Sequence, residues 1–226
     1  MEEMILKNIL KILKTKIKSK SKVFVIGFNK TGTTTLKSVL WELGYSVGSQ
    51  REGELLLGDW QRDSFKKIFA LCETAECFQD IPFSLPRTYM HLYEKYKDAK
   101  FILSVRDSSN QWYNSLCNFH SKMWNNVRGV PNAEIMKQVQ YVKEGYAYES
   151  FKLIFETNDD DLYNKDRLIQ TYEEHNEEVR AFFEDKKNSL IELNVSKESD
   201  YKKLCEFLNK EPKRGGFLWE NKTTKL

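Results

Sequence analysis

The residues best suited to chemistry lie in one run, Gly27-Phe28-Asn29-Lys30-Thr31-Gly32-Thr33-Thr34-Thr35-Leu36. A glycine-containing turn feeding a helix presents backbone N–H groups and the positive end of the helix dipole, and three successive threonines add hydroxyl donors. The run reads as an anion cradle. Its glycines match the opening of a G-x-x-x-x-G-K-[ST] phosphate loop, but Thr33 stands where that loop needs lysine, and the lysine is Lys30, inside the loop. That substitution weakens an ATP or GTP reading. A second group is Arg106, which ends the run Phe101-Ile102-Leu103-Ser104-Val105 and precedes Asp107. A planar guanidinium at a strand's C-terminal edge can grip a phosphate with two parallel hydrogen bonds, and that edge is where open α/β sheets bind ligands. An Arg-Asp pair there also serves as a structural ion pair.

The elements that must position these groups are legible in the hydrophobic pattern. Val23-Phe24-Val25-Ile26-Gly27-Phe28 is a short, continuous, β-branched run of the kind that forms a buried parallel strand. A helix is expected over 33–43, stopped by Gly44. Residues 62–71 are weakly helical, 76–81 read as a short strand, and 84–97 read as a helix after Pro82. Residues 100–105 form a second buried strand, leading to a helix that begins near 108–110. Two long charged helices are expected over 134–156 and 159–186, then a strand over 190–195 and a closing helix over 199–209. Strands separated by helices pair in parallel with helices on both faces. The expected fold is α/β, a three-layer sandwich with a central parallel sheet flanked by helices.

Lys30-Thr31-Gly32-Thr33-Thr34 resembles the 5′-phosphosulfate-binding loop of sulfotransferases that use 3′-phosphoadenosine 5′-phosphosulfate (PAPS), in which Lys is followed by Ser/Thr-Gly-Thr-Thr. In that family an arginine ending a strand and a serine on the next helix share the nucleotide's 3′-phosphate. Arg106 and Ser115 are similar, with Ser115 one residue beyond the usual spacing and Asn114 beside it. Ser199 to Leu208 resembles the late helix of a bacterial-type branch, and Phe217 to Thr223 resembles its C-terminal Phe-Pro-x-x-Asn-Lys segment, with Leu218 where proline is common. Lys213-Arg214-Gly215-Gly216 is placed like the basic-glycine loop that closes over the 3′-phosphate in related sulfotransferases. The resemblance implies a P-loop NTPase-like sulfotransferase fold and PAPS as co-substrate with no metal. It implies a donor-binding set of Asn29, Lys30, Thr31, Gly32, Thr33, Thr34, Thr35, Arg106, Ser115 and Arg214, with Lys30 as the cation on the leaving oxygen.

A general base has several candidates. Asp80, in Phe78-Gln79-Asp80-Ile81-Pro82, matches an Asp-x-Pro element of that branch, and also reads as a turn or capping carboxylate. His120, on the helix after Arg106, and His91, within 84–97, are alternatives; Glu73 and Glu76 are read as solvated charge, and His175 is assigned no role. The acceptor, a hydroxyl or amine of a small molecule, glycan or lipid, would meet the aromatics Trp41, Trp60, Trp124, Tyr141, Tyr146 and Tyr148. Two rival functions keep the same loop: a P-loop nucleotide kinase or NTPase, and a non-catalytic nucleotide-binding adaptor.

Composition bounds these readings. The 226 residues suit one domain, placed at 23–226, with a core supplied by 40% hydrophobic and 13% aromatic residues. Residues 1–22 carry seven lysines against two acids, so the net charge of +3 falls to about −2 over the remainder. A general nucleic-acid surface is therefore not expected. Within that arm, residues 4–18 set Met4, Ile5, Leu6, Ile9, Leu10, Leu13 and Ile17 against Lys7, Lys11, Lys14 and Lys18. This is a basic amphipathic helix, able to lie on an anionic membrane surface or pack on protein. Cys72, Cys77, Cys117 and Cys205 lack metal or disulfide spacing. Without a signal-peptide pattern or a spanning segment, the cytoplasm is the expected compartment.

Overall fold

The apolar runs become four strands, β1 Val23–Val25, β2 Cys77–Phe78, β3 Lys100–Ser104 and β4 Leu190–Leu193, in a computed structural model that describes residues 21–124 and 129–218. All pair in parallel in the order β2-β1-β3-β4, with Phe24 opposite Phe78 and Phe101, and Phe101 opposite Leu190. The described helices are α1 Thr33–Glu42, α2 Gln50–Glu54, α3 Leu57–Gln61, α4 Lys66–Cys72, α5 Thr88–Lys95, α6 Ser109–Trp124, α7 Ala133–Gln138, α8 Tyr146–Phe155, α9 Lys165–Phe183 and α10 Glu198–Phe207.

Alternation along the strands sorts the core into two layers, because successive side chains point to opposite faces. Phe24, Phe101 and Leu103 face α4, α5 and α9, meeting Ile68, Tyr89, Leu92, Val179 and Phe183. Val23, Val25 and Ile102 face α1 and α10, meeting Leu36, Val39, Leu40, Tyr201 and Leu204. The result is the expected three-layer α/β sandwich. A third cluster, built on Phe28, Trp112, Phe151, Phe155 and Tyr172, packs α6, α8 and α9 against the end of β1.

Two expectations change. The helix expected over 134–156 is split into α7 and α8: Val139 turns extended (ψ 125°) after α7, and Gly145 adopts a left-handed conformation (φ 72°) at the start of α8. The intervening turn carries Val142 into a small cluster with Leu57, Leu85 and Tyr146. The segment 62–71 yields α4 only from Lys66, preceded by the short helices α2 and α3. At the N-terminal end of the described residues, Lys22 is buried and its Nζ donates to the carbonyls of Cys72 and Ala75, each at 2.7 Å. The amphipathic segment 4–18 lies outside the described residues. No described helix is long and apolar enough to cross a membrane.

Candidate active site

The loop from β1 to α1 is held by five hydrogen bonds. The Trp112 Nε1–H donates to the Asn29 carbonyl at 3.0 Å, and Arg106 Nε–H donates to the Lys30 carbonyl at 2.7 Å. The Thr31 hydroxyl lies 2.5 Å from the Phe28 carbonyl and 2.6 Å from Ser104 Oγ. His175 Nε2–H donates to the Ile26 carbonyl at 2.9 Å, while its ring packs on Phe28 with centroids 4.6 Å apart. Burial lowers the His175 pKa to about 4, so the ring is a neutral prop. Trp112 stacks on Tyr172 at 4.5 Å and 8°, and the Tyr172 hydroxyl accepts the Arg106 backbone N–H at 3.1 Å.

These struts fix an unusual backbone. Lys30 (φ 67°) and Gly32 (φ 101°) are both left-handed, and a Cβ on Gly32 would lie 2.3 Å from Val195 Cγ2. Alternating conformations of this kind turn successive N–H groups toward one side, an anion-binding concavity. The start of α1 has no side-chain cap and no acidic residue in its first turn. No side-chain cap competes for these N–H groups, and with Lys30 and Arg106 adjoining, the set fits a phosphate or phosphosulfate group.

Lys30 Nζ sits over the Phe119 ring, 2.9 Å from its centroid. Burial lowers its pKa to about 8, with Asp80 pulling upward and Arg106 downward. Beside it opens a cavity of about 230 Å³ lined by Phe28, Asn29, Lys30, Thr33, Thr34 and, among others, Gln50, Glu54, Asp80, Phe119, His120, Trp124, Tyr141 and Tyr146. Asp80 is left-handed (φ 58°), and its Oδ1 is sealed from solvent without a hydrogen-bond partner. Burial raises the Asp80 pKa to about 6, opposed by the Thr33 hydroxyl and Lys30 and assisted by Glu54. His120 Nδ1 lies 2.7 Å from the Tyr163 hydroxyl, which also donates to Met136 Sδ at 3.7 Å. Burial and the nearby Lys30 lower the His120 pKa to about 3, so this histidine is neutral and a weak base.

The structure therefore brings Asn29, Lys30, Thr33, Thr34, Asp80 and His120 to one cavity. Arg106 reaches the loop from behind. Ser115 lies one turn before Phe119 on α6, hence on the face that meets Lys30. Thr31 and Thr35 are buried, and the Thr31 hydroxyl is already used within the fold. Arg214 is not brought to the loop: it pairs with Glu42, at the opposite end of α1, roughly 14 Å away at 1.5 Å per residue. His91 also lies apart, stacked on Phe65 and paired with Asp63. All four cysteines are free, and burial raises the Cys72 and Cys77 pKa values to about 12.

Sequence reasoning missed Glu54. The signal was available in the capping pattern Ser49-x-x-Glu52, whose Ser49 Oγ accepts the Glu52 N–H at 3.2 Å and starts α2. That helix places Gln50 and Glu54 one turn apart. Gln79 Nε2 donates to Gln50 Oε1 at 3.0 Å, and a Cβ on Gly53 would meet the Ile81 carbonyl at 2.7 Å. This close approach sets Glu54 beside Asp80.

A family model for the sulfotransferase domain matches residues 22–226. The chain thus belongs to the sulfotransferase domain family, and the central parallel sheet with the loop at its C-terminal edge is the α/β architecture of that class. A search of curated proteins finds no match.

Proposed function

We propose that this transferase moves the sulfuryl group of PAPS to a hydroxyl of a small acceptor held in the cavity beside Lys30. One observation carries the reading: a half-buried lysine within a left-handed, uncapped loop shares one cavity with the sealed carboxyl oxygen of Asp80. The donor supplies an activated sulfur whose bond to the phosphate oxygen breaks as its bond to the acceptor oxygen forms. Backbone N–H groups at the start of α1, with Thr33 and Thr34, hold the 5′-phosphate end. Arg106, with Ser115, serves the 3′-phosphate. Lys30 leaves the Phe119 ring and donates to the oxygen on which negative charge grows, an interaction of the kind worth about 3–4 kcal/mol in a transition state.

Asp80 accepts the acceptor's proton. Its pKa of about 6 gives a carboxylate at neutral pH that is a better base than an exposed aspartate, whereas His120 is far weaker. His120 orients the acceptor, and a cavity of about 230 Å³ favours a small molecule over a glycan chain.

Transfer of labelled sulfur from PAPS to a panel of small alcohols and phenols tests this reading. Lys30→Ala is expected to lower turnover by about 10²–10³-fold with the fold retained. Lys30→Ala keeping most of the wild-type rate would overturn the assignment, as would transfer supported only by ATP and magnesium.

A further inference from the structure

The cavity wall beside Asp80 holds a carboxylate that the proposed chemistry does not use. Glu54 is buried, at 6% exposure, and lines the cavity. Gln50 Nε2–H and the Tyr141 hydroxyl both donate to its Oε1, each at 2.9 Å. Its Oε2 receives no protein donor and its carboxylate no cation among the described residues. Arg51, on the same helix, is turned instead to the carbonyls of Tyr141 and Val142. Beside Glu54, the Tyr146 hydroxyl is also without a partner, in a residue only 3% exposed that lines the same cavity.

A buried carboxylate served only by neutral donors is costly unless a ligand completes it. Lys30 is the one cation on the described cavity wall, against Glu54 and Asp80, and the proposed reaction commits it to the donor. Much of the remaining wall is aromatic and aliphatic, with Tyr141 bonded to Glu54 and Trp124 beside it, surfaces that favour an ammonium over an anion. We infer that the acceptor is an amino alcohol or aminophenol, its protonated amine held by Glu54 Oε2 and the Tyr146 hydroxyl while its hydroxyl faces Asp80 and Lys30. This names the substrate class of the site and so rests on the sulfotransferase reading above.

Calorimetric titration of the full chain with tyramine, 4-propylphenol and 4-hydroxyphenylacetate tests it, since these share a phenol and differ in carrying an ammonium, a methyl or a carboxylate. Tyramine is expected to bind at least about tenfold more tightly than 4-propylphenol, and 4-hydroxyphenylacetate most weakly. Glu54→Gln should bring tyramine and 4-propylphenol within about threefold, and Tyr146→Phe should weaken tyramine alone. Equal or tighter binding of 4-propylphenol by the wild type, an unchanged preference in Glu54→Gln, or binding of none of the three would overturn the inference. Should Glu54→Gln fail to fold, the wild-type order and Tyr146→Phe decide. A parallel titration with adenosine 3′,5′-bisphosphate separates the two readings. Nucleotide binding without an amine preference removes the acceptor class alone, and an amine preference without nucleotide binding removes the donor assignment.

Discussion

Burial works against the charge of both Lys30 and Asp80, bringing a lysine at about 8 and a carboxyl at about 6 into one site. On the proposed roles, kcat/KM rises with pH through about 6, as Asp80 loses its proton, and falls through about 8, as Lys30 loses its own. A pH-rate profile with Lys30→Arg should shift the alkaline limb upward and leave the acid limb in place. Asp80 also makes a stability prediction. Its folded pKa is raised above the ordinary 3.8, so the folded chain binds the proton more tightly, and stability falls as pH rises from about 4 through about 6. Asp80→Asn should therefore melt at a higher temperature than wild type at pH 7.5 and near it at pH 4. The gain is bounded at about 3 kcal/mol by about 1.4 kcal/mol per pH unit. The same variant should lose about 10²–10⁴-fold in kcat.

At the scale of elements, the loop works because its shape is imposed from behind. Gly32 is the tightest point: its φ of 101° and the 2.3 Å approach of Val195 to an added Cβ leave no room for a side chain. Gly32→Ala is expected to cost about 1–3 kcal/mol in strain with a similar overpacking term, seen as a lower denaturation midpoint. The loop itself was legible in the sequence, because Lys30-Thr31-Gly32-Thr33-Thr34 is contiguous and sits between a strand pattern and a helix pattern. Its supports were not. His175 was given no role, yet it props β1 from α9, 149 residues away in sequence. The placement of Arg214 at the donor follows from resemblance to a family loop, whereas the chain path sets it against Glu42. The reading of 134–156 as one helix followed its charge and apolar stripe and passed over Gly145, which starts a new helix after a break that positions Tyr141 and Tyr146 in the cavity.

Over the whole molecule, the strand periodicity was the most readable feature, since Val23, Phe24 and Val25 alternate between two helical layers as any two-sided parallel sheet requires. The cavity was the least readable, because it needs α2, the turn after β2, α6 and α8 to converge, and Glu54 and Phe119 gain meaning only from that convergence. The charge distribution follows the same logic. With seven lysines in residues 1–22, the rest of the chain is near neutral, and on the proposed reading its affinity for anions comes from Lys30, Arg106 and the start of α1. Recognition should accordingly depend on these few groups and on the nucleotide's second phosphate. The most direct test is titration without magnesium of adenosine 3′,5′-bisphosphate against adenosine 5′-monophosphate, in wild type and Arg106→Ala. The account predicts that the bisphosphate binds at least about a hundredfold more tightly to wild type and that Arg106→Ala removes most of that difference. Equal affinity for the two nucleotides in wild type, or binding of nucleotide only with magnesium, would contradict it.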